Sequence, residues 1–429
     1  MNRVYCTIGR SAPMLFGLLI ACDLTVSNPG PVQDPFLNDE GAHPAVVAGI
    51  ELSLIQGINM VAFFGSEAAR EYTQGGRVHP IKLTPNPGQL DHDQELPNNA
   101  WNNAHFARWV AEDGVRRLRE TLVDDFASSE LAARALLYAG YANRLLGENM
   151  CDAVIDGGPV MPRTVHFDRA LDYFTEAMSV GAAAGRSDVA TAAQAGRAAV
   201  RLFSGDDTGA LQDATGIAPG FVFQAQFGPN PETHNNWIHY ISSNEPFRAH
   251  SVWATFYENY YADIGDPRTP WGTDPDVPTA EFSNVPWYFQ LKYPQTTSPM
   301  NLSSGREMIL IRAELALRAG NWQQAVDLVN DLRDGLTSDH TGDPLPPWTA
   351  SNATEAWSAL KRERGIELWL ETRRLGDLWR WVDSDTPGEM ENVSDRIRLC
   401  FPVATSELQT NPNIAIDYRS ATNPRYQGS

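Results

Sequence analysis

The sequence predicts a mostly α-helical protein of paired helices, interrupted by one long, irregular, aromatic-rich excursion. Three observations carry that prediction. Apolar and small residues recur at helical spacing over three separate pairs of segments. Seventeen of the 42 aromatic residues fall within 221–293, where an even spread would place about 7. The stretch 361–381 has apolar residues all round a helical wheel, yet it carries a regular series of charges.

At the start of the chain, Arg3 and Arg10 precede an apolar run from Met14 to Ala21, far too short to span a bilayer. The run ends Leu19-Ile20-Ala21-Cys22, which resembles a bacterial lipobox. Cys22 is therefore the expected lipidation site, residues 1–21 a lipoprotein signal peptide, and the polar, proline-rich 22–40 a tether. Asp23, next to that cysteine, is an inner-membrane retention signal in some bacteria, which leaves the final membrane open.

Residues 43–74 read as one apolar helix followed by a polar turn, and 80–100 as loop, with Pro80, Pro85, Pro87, Gly88 and Pro97. Asp91, Asp93 and Glu95 alternate there, without the glycine and spacing of a calcium loop, and read as solvated surface. A long helix is expected over 101–126. Segments 130–147 and 167–178 should then pair, because Ala139, Gly140 and Ala142 allow close approach. Phe167, Ala170 and Ala177 fit the tetratricopeptide pattern. Two further hairpins echo it, 188–202 with 207–214 and 306–321 with 322–336. The domain plan is thus helical repeats over 41–214, the excursion over 215–300, and more repeats with the charged stretch over 301–429.

A formal charge of −20 leaves no electrostatic footprint for nucleic acid or an anionic membrane surface. Cys151 and Cys400 could pair in an oxidising compartment or stay as two buried thiols; nothing in their spacing implies a bridge, and two thiols is the expectation. The chain has no Walker loop, nucleophile elbow, zinc-protease helix or dinucleotide fingerprint. Its nine histidines are scattered, and His234 and His239 do not share a helical face. No cofactor or metal is expected, and binding is favoured over catalysis.

Within 361–381, Glu363, Glu367, Glu371, Arg374 and Asp377 recur at steps of four, four, three and three. Carboxylates four apart repel along a helix, and near-buried charges are costly unless paired. Arg364, Arg373, Arg374 and Arg380 lie close enough in sequence to pair with them. The stretch therefore reads as one helix, strained at Gly365 and Gly376, whose charges are structural.

These residues carry a resemblance. Glu363 to Arg380 is similar to the C-terminal signature of the SusD/RagB family, E-R-x-x-E-L-x-x-E-G-x-R-x-x-D-L-x-R, with Thr372 where glycine is usual. The repeat at 306–336 and the tail Phe401-Pro402…Asn411-Pro412-Asn413 also resemble that family's patterns. So does the helix from Trp101, where His105 replaces the usual tyrosine. The match does not cover about 215–300. The resemblance implies a lipid-anchored outer-membrane protein at the cell surface that captures a nutrient, commonly a glycan, for a TonB-dependent, SusC-like transporter.

The excursion supplies chemistry for such a ligand. A sugar's C–H face stacks on an aromatic ring while its hydroxyls bond amides and carboxylates. Trp237, Trp271, Trp287 and Tyr288 lie in turn-rich sequence and are the candidate stacking residues for an oligosaccharide or other polar nutrient. The competing reading is that they plug a loop-rich core. Trp253, Phe256, Tyr257 and Tyr260 share helical spacing and read as core. Two rivals come from other classes, a lipid-anchored tetratricopeptide scaffold for envelope assembly and a glycan hydrolase needing two positioned carboxylates. A scaffold has no need of clustered aromatics.

Overall fold

The computed structural model describes residues 34–76, 95–229, 235–244, 246–390 and 399–415. Cys22, the signal peptide, the tether up to residue 33, Asp91, Asp93 and His234 lie outside the described residues. In chain order the first elements are α1 His43–Ala68, β1 Thr73–Gln74, α2 Glu95–Leu122, α3 Glu130–Asn149, β2 Asp152–Val154, β3 Val160–Pro162, α4 Thr164–Ala183, α5 Ser187–Ser204 and α6 Asp207–Thr215. The excursion holds β4 Val222–Ala225, α7 Trp237–Tyr240, β5 His250–Ser251, α8 Phe256–Ile264, β6 Trp271–Gly272, β7 Phe289–Gln290 and β8 Met300–Ser304. Then come α9 Gly305–Arg318, α10 Trp322–Asp331, α11 Ala353–Glu367, α12 Arg374–Asp383 and α13 Thr405–Thr410.

The protein is mostly helical, with short two-stranded pairings only, among the described residues. Helix α1 is apolar nearly all round because it is a core helix, packed on α2, α3 and α12. It stops at Ala68, short of the expected residue 74. Arg70 turns the chain at a φ of 54°, and Thr73–Gln74 pairs instead with His250–Ser251. Helix α2 starts at Glu95, earlier than expected, because a proline at position 97 sits in a helical first turn, where its missing N–H goes unused.

The three hairpins form as paired helices, α3 with α4, α5 with α6, and α9 with α10. Close approach explains the small residues. A Cβ on Gly140 of α3 or Gly196 of α5 would fall 2.5 Å from the Phe174 ring, so this buried ring of α4 is gripped between two glycines. Ser129 caps α3, Asp206 caps α6 and Ser304 caps α9, each side chain accepting an orphan N–H of the first turn. Strands β4 and β8 pair antiparallel and close the excursion at its base, so it leaves and re-enters the repeats at one place.

Cys151 and Cys400 form a disulfide, which corrects the expectation of two thiols. The cause is non-local. Met150 and Phe401 form a parallel bridge, Cys151 N–H donates to Phe401 O at 2.9 Å, and the two Cα atoms come to 5.0 Å.

Candidate ligand-binding site

Residues 361–381 are not one helix. Helix α11 ends at Glu367 and α12 begins at Arg374, and the strap between them carries Leu370 at φ 60° and Thr372 at φ 69°. Side-chain-bearing residues avoid this left-handed region. Glycine at the position of Thr372 would adopt it freely, which gives the usual motif residue a physical meaning. The strap is held from both sides. Glu71, buried just after α1, accepts the Leu370 N–H at 2.9 Å, and the Trp369 indole donates to Glu71 O at 3.1 Å. From the excursion, Lys292 donates to Trp369 O at 2.7 Å and the Tyr293 hydroxyl to Leu370 O at 3.4 Å. Burial pushes the Glu71 carboxyl up to about 7, against the Leu370 N–H and Ser66.

Glu363, Glu371, Arg374, Asp377 and Arg380 are buried, and the Glu367 side chain is 10% exposed. Within this series, Asp377 accepts from Arg364 at 2.9 and 3.0 Å and from Arg380 at 2.8 and 3.0 Å. Arg380 also pairs with Glu314 of α9. Burial would raise the Glu314 carboxyl, but Arg380 holds it down to about 2. Arg374 donates to Lys361 O at 2.8 Å. Arg373, also read as a partner of this series, reaches Glu148 of α3 and Glu307 of α9 instead. The three glutamates find their partners far away in sequence. Glu363 pairs with Arg268 and, at 3.0 Å, with Arg333; Glu367 with Arg268 at 2.9 Å and Arg306 at 2.6 Å; Glu371 with Lys292 at 2.8 Å. The strap explains this correction, because a break of helix redirects the arginines that follow it away from the acids that precede it.

Arg268 and Lys292 belong to the excursion, and they bracket the segment that bears Trp271, Trp287 and Tyr288. Asp266 locks the first bracket, bonding Arg268 at 2.7 and 2.9 Å and accepting from the Tyr260 hydroxyl at 2.8 Å. Tyr257 adds a hydrogen bond to Gly365 O at 3.0 Å and stacks on Trp369. The charged stretch is thus a buried socket into which the excursion is plugged. Its carboxylates hold Arg268 and Lys292 of the excursion in largely buried ion pairs.

The four candidate aromatics divide. Trp271 and Tyr288 are partly exposed and stack at 4.8 Å with their planes 20° apart. Tyr261 stands edge-on to Trp271 at 6.1 Å and donates to Asp339 at 3.2 Å; the His340 ring lies 4.9 Å from the Tyr261 ring. Trp237 opens α7, its ring at right angles to that of Phe63 of α1 and its backbone N–H donating to Asn59 Oδ1 at 3.1 Å. Trp287 is 4% exposed and its indole donates to Ser242 O at 3.2 Å. Its ring is packed inside the excursion, unlike those of Trp271 and Tyr288.

Tyr257 and Tyr260 are buried, whereas Trp253, read as core, is 40% exposed. Helix α8 begins only at Phe256, and Ala254 at φ 60° turns Trp253 out of its register. Phe282, which sequence reasoning passed over, is 75% exposed. The signal available was its company, a single ring among Glu281, Ser283 and Asn284 with no apolar period around it. Among the described residues no group of three or more His, Cys, Asp or Glu is arranged to hold a metal ion.

Residues 306–427 match the family model described as the SusD family. No curated protein matches the chain. Among solved structures, a SusD/RagB family protein from Bacteroides thetaiotaomicron superposes with a TM-score of 0.65 at 13% identity, covering 90% of this chain and 97% of its own. A SusD-like carbohydrate binding protein from Bacteroides vulgatus gives 0.57 at 14% identity, covering 88% and 97%. A laminarin binding SusD-like protein gives 0.53 at 14%, covering 88% and 98%. The chain thus matches the SusD family model over residues 306–427 and is similar in fold to SusD/RagB family proteins over most of its length.

Proposed function

We propose that this protein is a non-catalytic surface receptor that binds an oligosaccharide and passes it to a TonB-dependent, SusC-like outer-membrane transporter. The observation that carries the reading is the Trp271–Tyr288 stack, partly exposed and held in place by the Arg268 and Lys292 ion pairs. Flat ring faces bordered by the Tyr261 hydroxyl, Asp339 and His340 suit the alternating apolar and hydroxylated surface of a sugar. The carbohydrate and laminarin binding of two structural neighbours supports a glycan as ligand. In this reading the mature chain starts at Cys22, lipid holds it to the membrane, and the tether expected over 22–40 gives it reach up to Asp34, where the chain docks on Arg117 of α2. Trp237, packed on Phe63 of α1, stays a further candidate stacking residue.

Calorimetry with laminarin and a panel of other oligosaccharides tests the reading. Trp271→Ala and Tyr288→Ala should each weaken binding about 2- to 10-fold, the worth of one stacked ring of about 0.5–1.5 kcal/mol, with circular dichroism unchanged. Binding equal to the parent in both variants would place the ligand elsewhere.

A further inference from the structure

A pair of histidines lies in the helical repeats, away from the excursion. On α2, Trp101, His105, Arg108 and Glu112 recur at steps of four, three and four and so share one face. Glu112 meets Asn143 of α3 there at 2.9 Å, and His166 enters from the first turn of α4. The centres of the His105 and His166 rings are 5.5 Å apart, with the planes at 65°, and the buried Trp101 ring lies 4.1 Å from that of His105. The Nε2 atoms of both histidines are shut off from solvent, and neither has a hydrogen-bond partner. A buried polar atom without a partner is costly, and adjacent rings each carry one.

The tautomer of His166 follows from its neighbour. The Asn143 amide nitrogen donates to Glu112 at 2.9 Å and to Ala139 O at 3.1 Å, so its Oδ1, 3.1 Å from His166 Nδ1, accepts. His166 Nδ1 therefore carries the proton, and Nε2 of the neutral ring holds a bare lone pair. A metal-binding histidine is held in this way, its second nitrogen fixed by an oxygen acceptor. Charge does not forbid a cation at this place. Arg108 and Arg169 both bond Glu112, and Arg108 also bonds Asp156 at 2.7 Å, so two guanidiniums stand against two carboxylates among the described residues.

The ion class follows from the ligand atoms. Imidazole nitrogens suit zinc and copper, whereas calcium and magnesium take oxygen. Two imidazoles sharing one ion at a Zn–N distance of about 2.0–2.1 Å have ring centres roughly 5–6 Å apart. The observed 5.5 Å falls in that span. We propose that His105 and His166 hold a zinc or copper ion between their Nε2 atoms, with solvent completing its coordination, and that the ion staples α2 to α4. Such a site needs no saccharide and no part of the Trp271–Tyr288 stack.

The test is isothermal titration of the untagged full chain with zinc sulfate, chelator-buffered copper(I) and calcium chloride. The parent should take up one zinc or copper ion and melt at a higher temperature with it, and calcium should do neither. His105→Phe keeps a ring against Trp101, and His166→Gln offers Asn143 an N–H donor, so circular dichroism should match the parent. Each should weaken metal binding about 10-fold or more, and Asn143→Ala, which releases the His166 ring, about 10-fold. His239→Gln, in the excursion, should bind metal like the parent. Zinc-edge X-ray absorption of the parent, which needs no variant, should show two imidazoles. Parent-like affinity in both histidine variants, or a shell of oxygen alone, overturns the site. No uptake at millimolar metal means that water alone joins the two nitrogens, and overturns it too. Calcium uptake that His166→Gln abolishes overturns the ion class.

Discussion

Asp377→Ala is the sharpest perturbation of the buried socket. Asp377 is 2% exposed and accepts four hydrogen bonds, two from Arg364 and two from Arg380. Burial would raise its carboxyl, but the two guanidiniums hold it below the usual range. Truncation leaves Arg380 with Glu314, whereas Arg364, 2% exposed, loses its carboxylate partner among the described residues. Stranding one buried charge costs on the order of 3–5 kcal/mol. Unfolding entropy near 2.1 cal/mol/K per residue converts this, for a chain of this size, to a fall in Tm of about 3–6 °C. Urea denaturation at pH 7, followed by circular dichroism and tryptophan fluorescence, measures the loss. The double variant Asp377→Ala with Arg364→Met removes the stranded charge as well, so it should lose less than Asp377→Ala alone. Oligosaccharide affinity of the folded variants should be unchanged, because these charges do not face solvent. A loss under about 1 kcal/mol, or a double variant that is worse by the sum of both singles, would refute the stranded-charge argument.

Two further predictions concern the strap. Glu71 is neutral in both states at acid pH, but the unfolded chain ionises from about 4.5 and the folded one only near 7. A folded pKa that is raised means stability present at low pH and lost as pH rises from about 4.5 through 7. Glu71→Gln keeps an acceptor for the Leu370 N–H and cannot ionise, so it should match the parent at pH 4 and exceed it by about 3 kcal/mol at pH 8.5. A constant difference across that range refutes the titration. At Thr372, φ 69° favours glycine, so Thr372→Gly should be more stable than Thr372→Ala by about 1 kcal/mol in the same urea assay. Equal stability of the two would mean the left-handed backbone carries no strain.

How much of this was legible in the chain differs by element. The hairpins were, because the signal is local. Phe174 and its gripping glycines Gly140 and Gly196 advertise close helix packing through residue size alone. The charged stretch also announced itself, since carboxylates four apart among apolar residues make sense only when buried partners exist. What the sequence left open was which partners, and the answers lie about 80 to 100 residues away, in Arg268 and Lys292. Helical periodicity says which residues share a face, but it carries no information on what chain will cover that face.

The same limit explains the corrections. Nothing near Leu370 predicts a left-handed backbone; Glu71, about 300 residues earlier, holds the turn by accepting the Leu370 N–H. Cys151 and Cys400, separated by 249 positions, meet because the Met150–Phe401 bridge aligns their backbones. Trp287 and Tyr288 are neighbours of like composition, yet one ring fills the core and the other reaches the surface, since an extended chain must send them to opposite sides. The sequence by itself determined the helical class, the excursion and the need to bury paired charge, because those depend on spacing and composition. The tertiary structure alone decided where the helix breaks, which cysteines join and which aromatic rings meet solvent, because each depends on contacts between segments distant along the chain.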